Sequence, residues 1–239
     1  MDQVIEWFRT AGNIPEEIVR HLYLAFVPVA GAVLITLPVG LYIGHKRRFE
    51  FLAVTVANLG RAIPSFAILS LFLPFSISAG LGLGFWPTFA ALFVLSIPPI
   101  LINTYVGVKE VDADTIEAAR GVGFSEFQVL SRIELPLAAP LLIAGIRTAA
   151  VQSVATATLG ALVAAGGLGD PIVLGFRTGS IGPLVGGAVL VASLAFATEI
   201  GLGWIERLMT PKAMSYRPSR DRPLRNVSEV ARPPIGPAG

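Results

Sequence analysis

The sequence predicts an all-α polytopic membrane protein with five transmembrane helices, and three observations carry that reading. Of 239 residues, 54% are apolar and only 14% charged, against about 25% charged in a typical soluble domain. Four stretches hold no Asp, Glu, Lys or Arg: 22–44, 62–108, 148–169 and 178–198. Lys and Arg, finally, gather in clumps that fall on one side when the chain is threaded five times through a bilayer.

A helix needs about 20 apolar residues to cross about 30 Å of hydrocarbon, and this sets the elements in order. Residues 1–20 carry mixed charge (Asp2, Glu6, Arg9, Glu16, Glu17, Arg20), unlike the basic start of a cleavable signal. They form an N-terminal segment outside the membrane, and the first span covers 22–44. The charge-free run 62–108 is too long for one span and contains a Gly-rich break at 78–84. It is therefore divided between a second span at 51–75 and a third at 86–108, with Pro98-Pro99 expected to kink the third. The fourth span is placed at 141–164 and the fifth at 184–206, within a transmembrane domain of 21–210. From 211 to 239 the chain is rich in Pro and Arg and lacks core-forming residues, so a disordered tail is expected there. That tail could touch anionic lipid headgroups, at about 1 kcal/mol per basic residue.

The positive-inside rule orients the chain. Fourteen of its 18 Lys and Arg fall in the loop 45–50, the segment 109–147 and the tail from 207. These regions, the C-terminus included, are expected in the cytoplasm of a multi-pass inner-membrane protein, with the N-terminus outside.

Several functions are excluded by composition. Without cysteine there is no thiolate metal site or Cys nucleophile. His21 and His45 flank the first span and form no metal-binding pair. The lysines are Lys46, Lys109 and Lys212, none after a glycine, so no Walker A loop exists to hold ATP phosphates. No cofactor, catalytic residue, metal or nucleic-acid partner is expected, and the chain is not an enzyme. The three tryptophans lie near span ends, as an interfacial belt does, and no aromatic box for a quaternary ammonium is visible within the spans.

The cytoplasmic segment 109–140 is the most informative. It reads as two short helices, with a capping box at Asp114 and Glu117 and another at Ser125 and Gln128. Gly121 and Gly123 separate them and Pro136 closes the second. Ala118-Ala119 leaves a smooth face, and Phe124 and Phe127 are exposed aromatics that imply a protein partner. Glu117-Ala118-Ala119, then Gly123, Ile133 and Leu135-Pro136, in that spacing, resemble the EAA motif of ABC importer permeases. The resemblance implies a type I importer permease fold and a coupling helix that docks on a separate ATPase subunit. Glu117, Ala118, Ala119 and Gly123 would form the docking turn, with Ile133, Leu135 and Pro136 anchoring it. It also implies an extracytoplasmic substrate-binding protein and a second permease subunit, identical or similar.

The likeness extends over about 20–210. Residues 58–65, 99–105 and 157–171, with the opening His21-Leu22-Tyr23-Leu24, are similar to permeases for quaternary-ammonium osmoprotectants such as glycine betaine, carnitine, choline and proline betaine. Methionine importers share the five-span plan, the Gly166-Gly167-Leu168-Gly169-Asp170 turn and an Arg before Ile63-Pro64, where an osmoprotectant permease is expected to carry Gln. The resemblance thus implies an osmoprotectant importer, with a methionine or small amino-acid importer as the alternative. An ATP-independent transporter or channel would require inverted repeats, and no internal repeat is visible.

Polar residues in lipid mark helix contacts or a lumen. Asn58, Arg61 and Ser65 share one face of a helical second span, Ser96 and Asn103 one face of the third, and Thr148, Gln152 and Thr156 one face of the fourth. These faces are expected to line the translocation path. Arg61 would sit near mid-membrane, where its charge would attract a substrate carboxylate. Glu199 is expected to be paired or to snorkel, and Asp170 to cap a helix that has Pro171 at its first position. The pairs Gly40/Gly44 and Gly182/Gly186 predict close packing or dimer contacts.

Overall fold

In the computed structural model, residues 2–209 are described, and the expected tail at 211–239 lies outside them. The first helix, α1 (Asp2–Thr10), precedes a 33-residue α2 (Ile14–Lys46). At 1.5 Å per residue α2 is about 50 Å long, so it projects well beyond a bilayer core. Then come α3 (Glu50–Ala62), α4 (Ser65–Ser78) and α5 (Phe85–Lys109). Two short elements follow, α6 (Ala113–Gly121) and α7 (Glu126–Val129). A π-helical segment, Leu130–Glu134, joins α7 to α8 (Leu135–Thr156), which continues as a 3₁₀ turn, Ala157–Val163. The last helices are α9 (Gly169–Thr178) and α10 (Ile181–Met209).

Four of these pieces are long and apolar enough to cross a membrane, and the α3/α4 pair has the length and apolarity of a fifth, as a broken span or a re-entrant loop. That pair corrects the expected straight helix over 51–75, because α3 and α4 meet at 90°. The cause is Pro64, which lacks an amide hydrogen and drives the preceding residue out of the helical region. Ile63 accordingly has φ −77° and ψ 123°. By contrast, α5 runs uninterrupted through Pro98 and Pro99, both buried.

The hub is α5, which packs against α2, α3, α4 and α8. Glycine sets the closest approach. A methyl added at Gly40 would lie 2.8 Å from Thr104 Cβ, and one at Gly44 would lie 2.7 Å from Val108 Cβ. Gly60 of α3 rests on Pro98, and a methyl on Gly145 of α8 would lie 2.7 Å from Asn103 Cβ. Without a hydrophobic drive between helices in lipid, such contacts supply the van der Waals attraction that holds the bundle. The second glycine pair, Gly182/Gly186, seats Trp7 of α1, so both pairs serve packing within the chain.

Electrostatics tie α8 to α10. Arg147 meets Glu206 at 2.9 Å and Glu199 at 3.6 Å, so Glu199 is paired. Five rings along α2 and α5 (Tyr23, Phe85, Trp86, Phe89, Phe93) form a ladder with neighbouring centroids 5.3–6.0 Å apart. The sequence did not foreshadow it, because Tyr23 joins from another helix.

Candidate coupling site and translocation path

The segment between α5 and α8 folds on a small core of its own. Val111, Ile116, Ala119 and Val129 are buried together, with Phe124 and Ile133 packed against them. Phe124 is therefore a core residue and not an exposed aromatic. The N-cap of α6 is Asp112, whose Oδ2 accepts from Thr115 N at 3.2 Å and Thr115 Oγ1 at 3.0 Å. This displaces the expected cap at Asp114, since Asp112 supplies the extended residue a cap requires.

The end of α6 is a Schellman turn. Phe124 N donates to Ala119 O and Gly123 N to Arg120 O, with Gly123 at φ +90°. Only glycine adopts that φ without strain. The residue after the turn, Phe124, covers Ala119, the apolar contact that accompanies this motif. Ser125 then starts α7 with a complete capping box: Gln128 N donates to Ser125 Oγ at 3.3 Å, and Ser125 N to Gln128 Oε1 at 2.8 Å.

The helix does not stop at Pro136, as expected from sequence, but continues from α7 to Thr156. Before the proline, Leu135 N donates to Leu130 O, one residue farther back than in an α-helix. Pro136 then falls in the first turn of α8, and the widened turn ahead of it accommodates its ring and missing donor.

Two halves of the motif thus separate in space. Ala119 and Ile133 hold the small core, and Leu135 packs with Val108, Ala138 and Leu142 beside Leu37 and Leu41 of α2. Glu117, Ala118, Gly123 and Pro136 are exposed. Beside them stand Phe127 and Val122, each 76% exposed, and Val122 was not singled out from the sequence. No other heavy atom lies within 4 Å of where a Cβ on Gly123 or Gly121 would sit. The outer side of α6 is therefore a low-relief surface with two apolar side chains at its margin.

The polar faces fare differently. Because of the bend, Asn58 and Arg61 end α3 while Ser65 begins α4, so the three share no helix face. Asn58 and Arg61 are exposed and Ser65 is half-buried. Ser96 is 2% exposed, and its hydroxyl donates to Leu92 O at 2.7 Å within α5. Asn103 donates from Nδ2 to Pro99 O at 2.8 Å and lies against Gly145. On α8, Gln152 is exposed, Thr156 is half-buried, and exposed Thr148 donates to Ala144 O at 2.8 Å. The polar residue that α8 turns inward is Ser153, whose Oγ donates to Ala25 O of α2 at 2.9 Å.

At the opposite end of the bundle from α6, α2 secures the turn after α8. Arg20 Nε donates to Ala165 O at 2.7 Å, and buried His21 Nε2 lies 2.8 Å from Val154 O. The turn contains positive φ at Ala164, Gly166 and Gly167. At Gly166 a side chain would collide with the Arg20 guanidinium. Asp170 does not cap α9: Leu168 occupies the cap, and Asp170 N donates to Gly167 O at 2.9 Å. Partial burial pushes the Asp170 carboxyl above its ordinary range, opposed by the charge of Arg20.

Comparison with known proteins gives this architecture its place. A carnitine transport permease protein, OpuCD, of Listeria monocytogenes is 36% identical over 220 residues, covering 91% of this chain and 96% of that one. The glycine betaine/carnitine/choline transport system permease protein OpuCB of Bacillus subtilis is 33% identical, over 90% of this chain and 97% of that one. The osmoprotectant import permease protein OsmW of Salmonella typhimurium is 31% identical over 90% of this chain and all of that one. Among solved structures, an inward-facing form of the MetNI methionine ABC transporter matches with a TM-score of 0.71 and 25% identity, covering 83% of this chain and 96% of that one. Residues 36–211 match the inner-membrane components of binding-protein-dependent transport systems, and the chain belongs to that family of ABC importer permeases.

Proposed function

We propose that this chain is the membrane-spanning permease of an ATP-driven importer for osmoprotectants of the carnitine, choline and glycine betaine kind. The observation that carries the reading is the likeness to permeases bearing those names, at 31–36% identity over nine-tenths of the chain. The N-terminus lies outside and the α6 end of the bundle faces the cytoplasm, which the distribution of Lys and Arg supports. Glu117, Ala118, Ala119 and Gly123 present the docking turn to a separate ATPase subunit, and Ile133, Leu135 and Pro136 root it in the bundle. ATP binding and hydrolysis on that subunit move α6 and rock the spans between outward- and inward-open states. Substrate arrives on an extracytoplasmic binding protein, and a second permease subunit, a copy or a similar chain, completes the path. Asn58, Arg61, Ser65, Ser96, Asn103, Gln152 and Thr156 are proposed to line or support that path, the exposed Asn58, Arg61 and Gln152 directly.

Methionine is the competing substrate, favoured by the likeness to the methionine transporter and by Arg61 before Ile63-Pro64. Uptake into proteoliposomes holding this chain, its ATPase and its binding protein separates the two. We expect labelled carnitine, choline or glycine betaine to enter only with ATP inside, and methionine to be ignored. Methionine uptake would reassign the substrate, and uptake without ATP would overturn the mechanism.

A further inference from the structure

At the Lys46 end of α2, one imidazole bridges two carboxylates of the coupling segment. His45 Nδ1 lies 2.6 Å from Glu134 Oε2, and His45 Nε2 lies 3.2 Å from Glu126 Oε2. The two inner side chains are almost closed to solvent, 6% exposed for His45 and 3% for Glu134. The contact between Nδ1 and Glu134 is within hydrogen-bond distance, and a buried carboxylate is retained only when paired. Around this core, Lys46 Nζ lies 3.4 Å from Glu126 Oε2, and Arg120 of α6 donates from Nε to Glu126 Oε1 at 3.0 Å. The polar pocket beside it, about 260 Å³, is also bordered by Arg47, Glu117 and Ile116.

The contacts form a chain from the docking helix to the first span: Arg120 on α6, Glu126 on α7, His45 on α2, and Glu134 in the π-helical turn that leads into α8. We infer that His45 is a positioning residue for coupling, a clasp that makes α2 move with the docking helix. The inference rests on the proposal that α6 is the ATPase-docking element. Besides the clasp, α6 is joined to the bundle by its covalent connections and its own small core. A displacement of α6 would be absorbed by the turns at 110–112 and 121–124 if nothing tied it to α2. His45 closes that loophole at the end of α2 that lies beside the segment.

The test uses the complete transporter in proteoliposomes and measures uptake per ATP hydrolysed, with whichever of carnitine, choline, glycine betaine or methionine the wild type accumulates. H45Q removes the ring that spans both carboxylates, and its uptake per ATP is expected to fall about five-fold, within the range of coupling changes from single residues. H45R supplies a long side chain with several donors to both carboxylates and is expected to recover most of the ratio, which a residue needed only for packing would not allow. If H45Q fails to assemble, H45Q/E134Q removes the orphaned carboxylate and is expected to show the same loss. A wild-type ratio in an assembled H45Q or H45Q/E134Q transporter overturns the clasp. G123D is run alongside: if it uncouples while H45Q does not, the clasp alone is wrong. If G123D itself couples normally, the docking assignment fails and the clasp with it.

Discussion

Gly123 has two properties that belong to different faces of the same turn. Its backbone, at φ +90°, closes the Schellman turn, and the space where a Cβ would sit is open. Gly123→Asp therefore meets strain but no clash. The variant is expected to reach the membrane folded, at a cost of about 1–3 kcal/mol, and to lose transport because a charged side chain stands on the proposed docking surface. Membrane yield and ATP-dependent uptake together check this, and normal uptake would remove the turn from the docking site. Ser153 offers a contrasting test of stability alone. Its hydroxyl bridges α8 to Ala25 O in the interior, and Ser153→Ala is expected to lower unfolding free energy by about 1 kcal/mol, the net worth of one hydrogen bond, since Ala25 O keeps its partner within α2. A thermal shift in detergent of the purified variant measures it.

Among elements, the α2–α5 pair is the most extensive contact and depends on the absence of side chains. With Gly44 so close to Val108 and to Tyr105 O, Gly44→Leu is expected to force the helices apart and destabilise the bundle by about 1–3 kcal/mol, as overpacking generally does. Gly201 of α10, with no neighbour within 4 Å, supplies the control, since Gly201→Leu meets no packed helix in the chain. Comparable melting of the two variants would mean that the α2–α5 contact is not limiting. Elements also explain the sequence-level errors. A straight second span places Asn58, Arg61 and Ser65 on one stripe, but Pro64 turns the chain by 90° and leaves them on two helices. Period alone cannot reveal this, because apolar residues flank the proline on both sides. The helix expected to end at Pro136 continues because the π turn before it absorbs the missing donor, and Leu135 beside it packs on α2 and α5.

For the whole molecule, orientation is the property most directly open to measurement. The chain contains no cysteine, so single reporters can be introduced without background. Ser180→Cys, in the turn between α9 and α10, is expected to react with an impermeant maleimide in intact cells. Val122→Cys, at the tip of the coupling segment, is expected to react only after the membrane is opened. The reverse pattern would invert the proposed topology and place the docking turn where no ATPase could reach it.

The sequence by itself determined the helical membrane class and the family, because each depends on local quantities. The class follows from runs of apolar residues against a fixed bilayer thickness, and the family from residue types at fixed spacing. The capping box at Ser125 was equally legible, since a cap is satisfied within four residues. What only the tertiary structure decided was partnership across distance. His45 and Glu134 are 89 positions apart, and Arg20 and Ala165 are 145 apart. Nothing in the periodicity of either segment names the other. Such pairs exist because α2, longer than the bilayer core, carries polar residues past both ends of the bundle, where packing against α5 and α8 chooses which groups they meet.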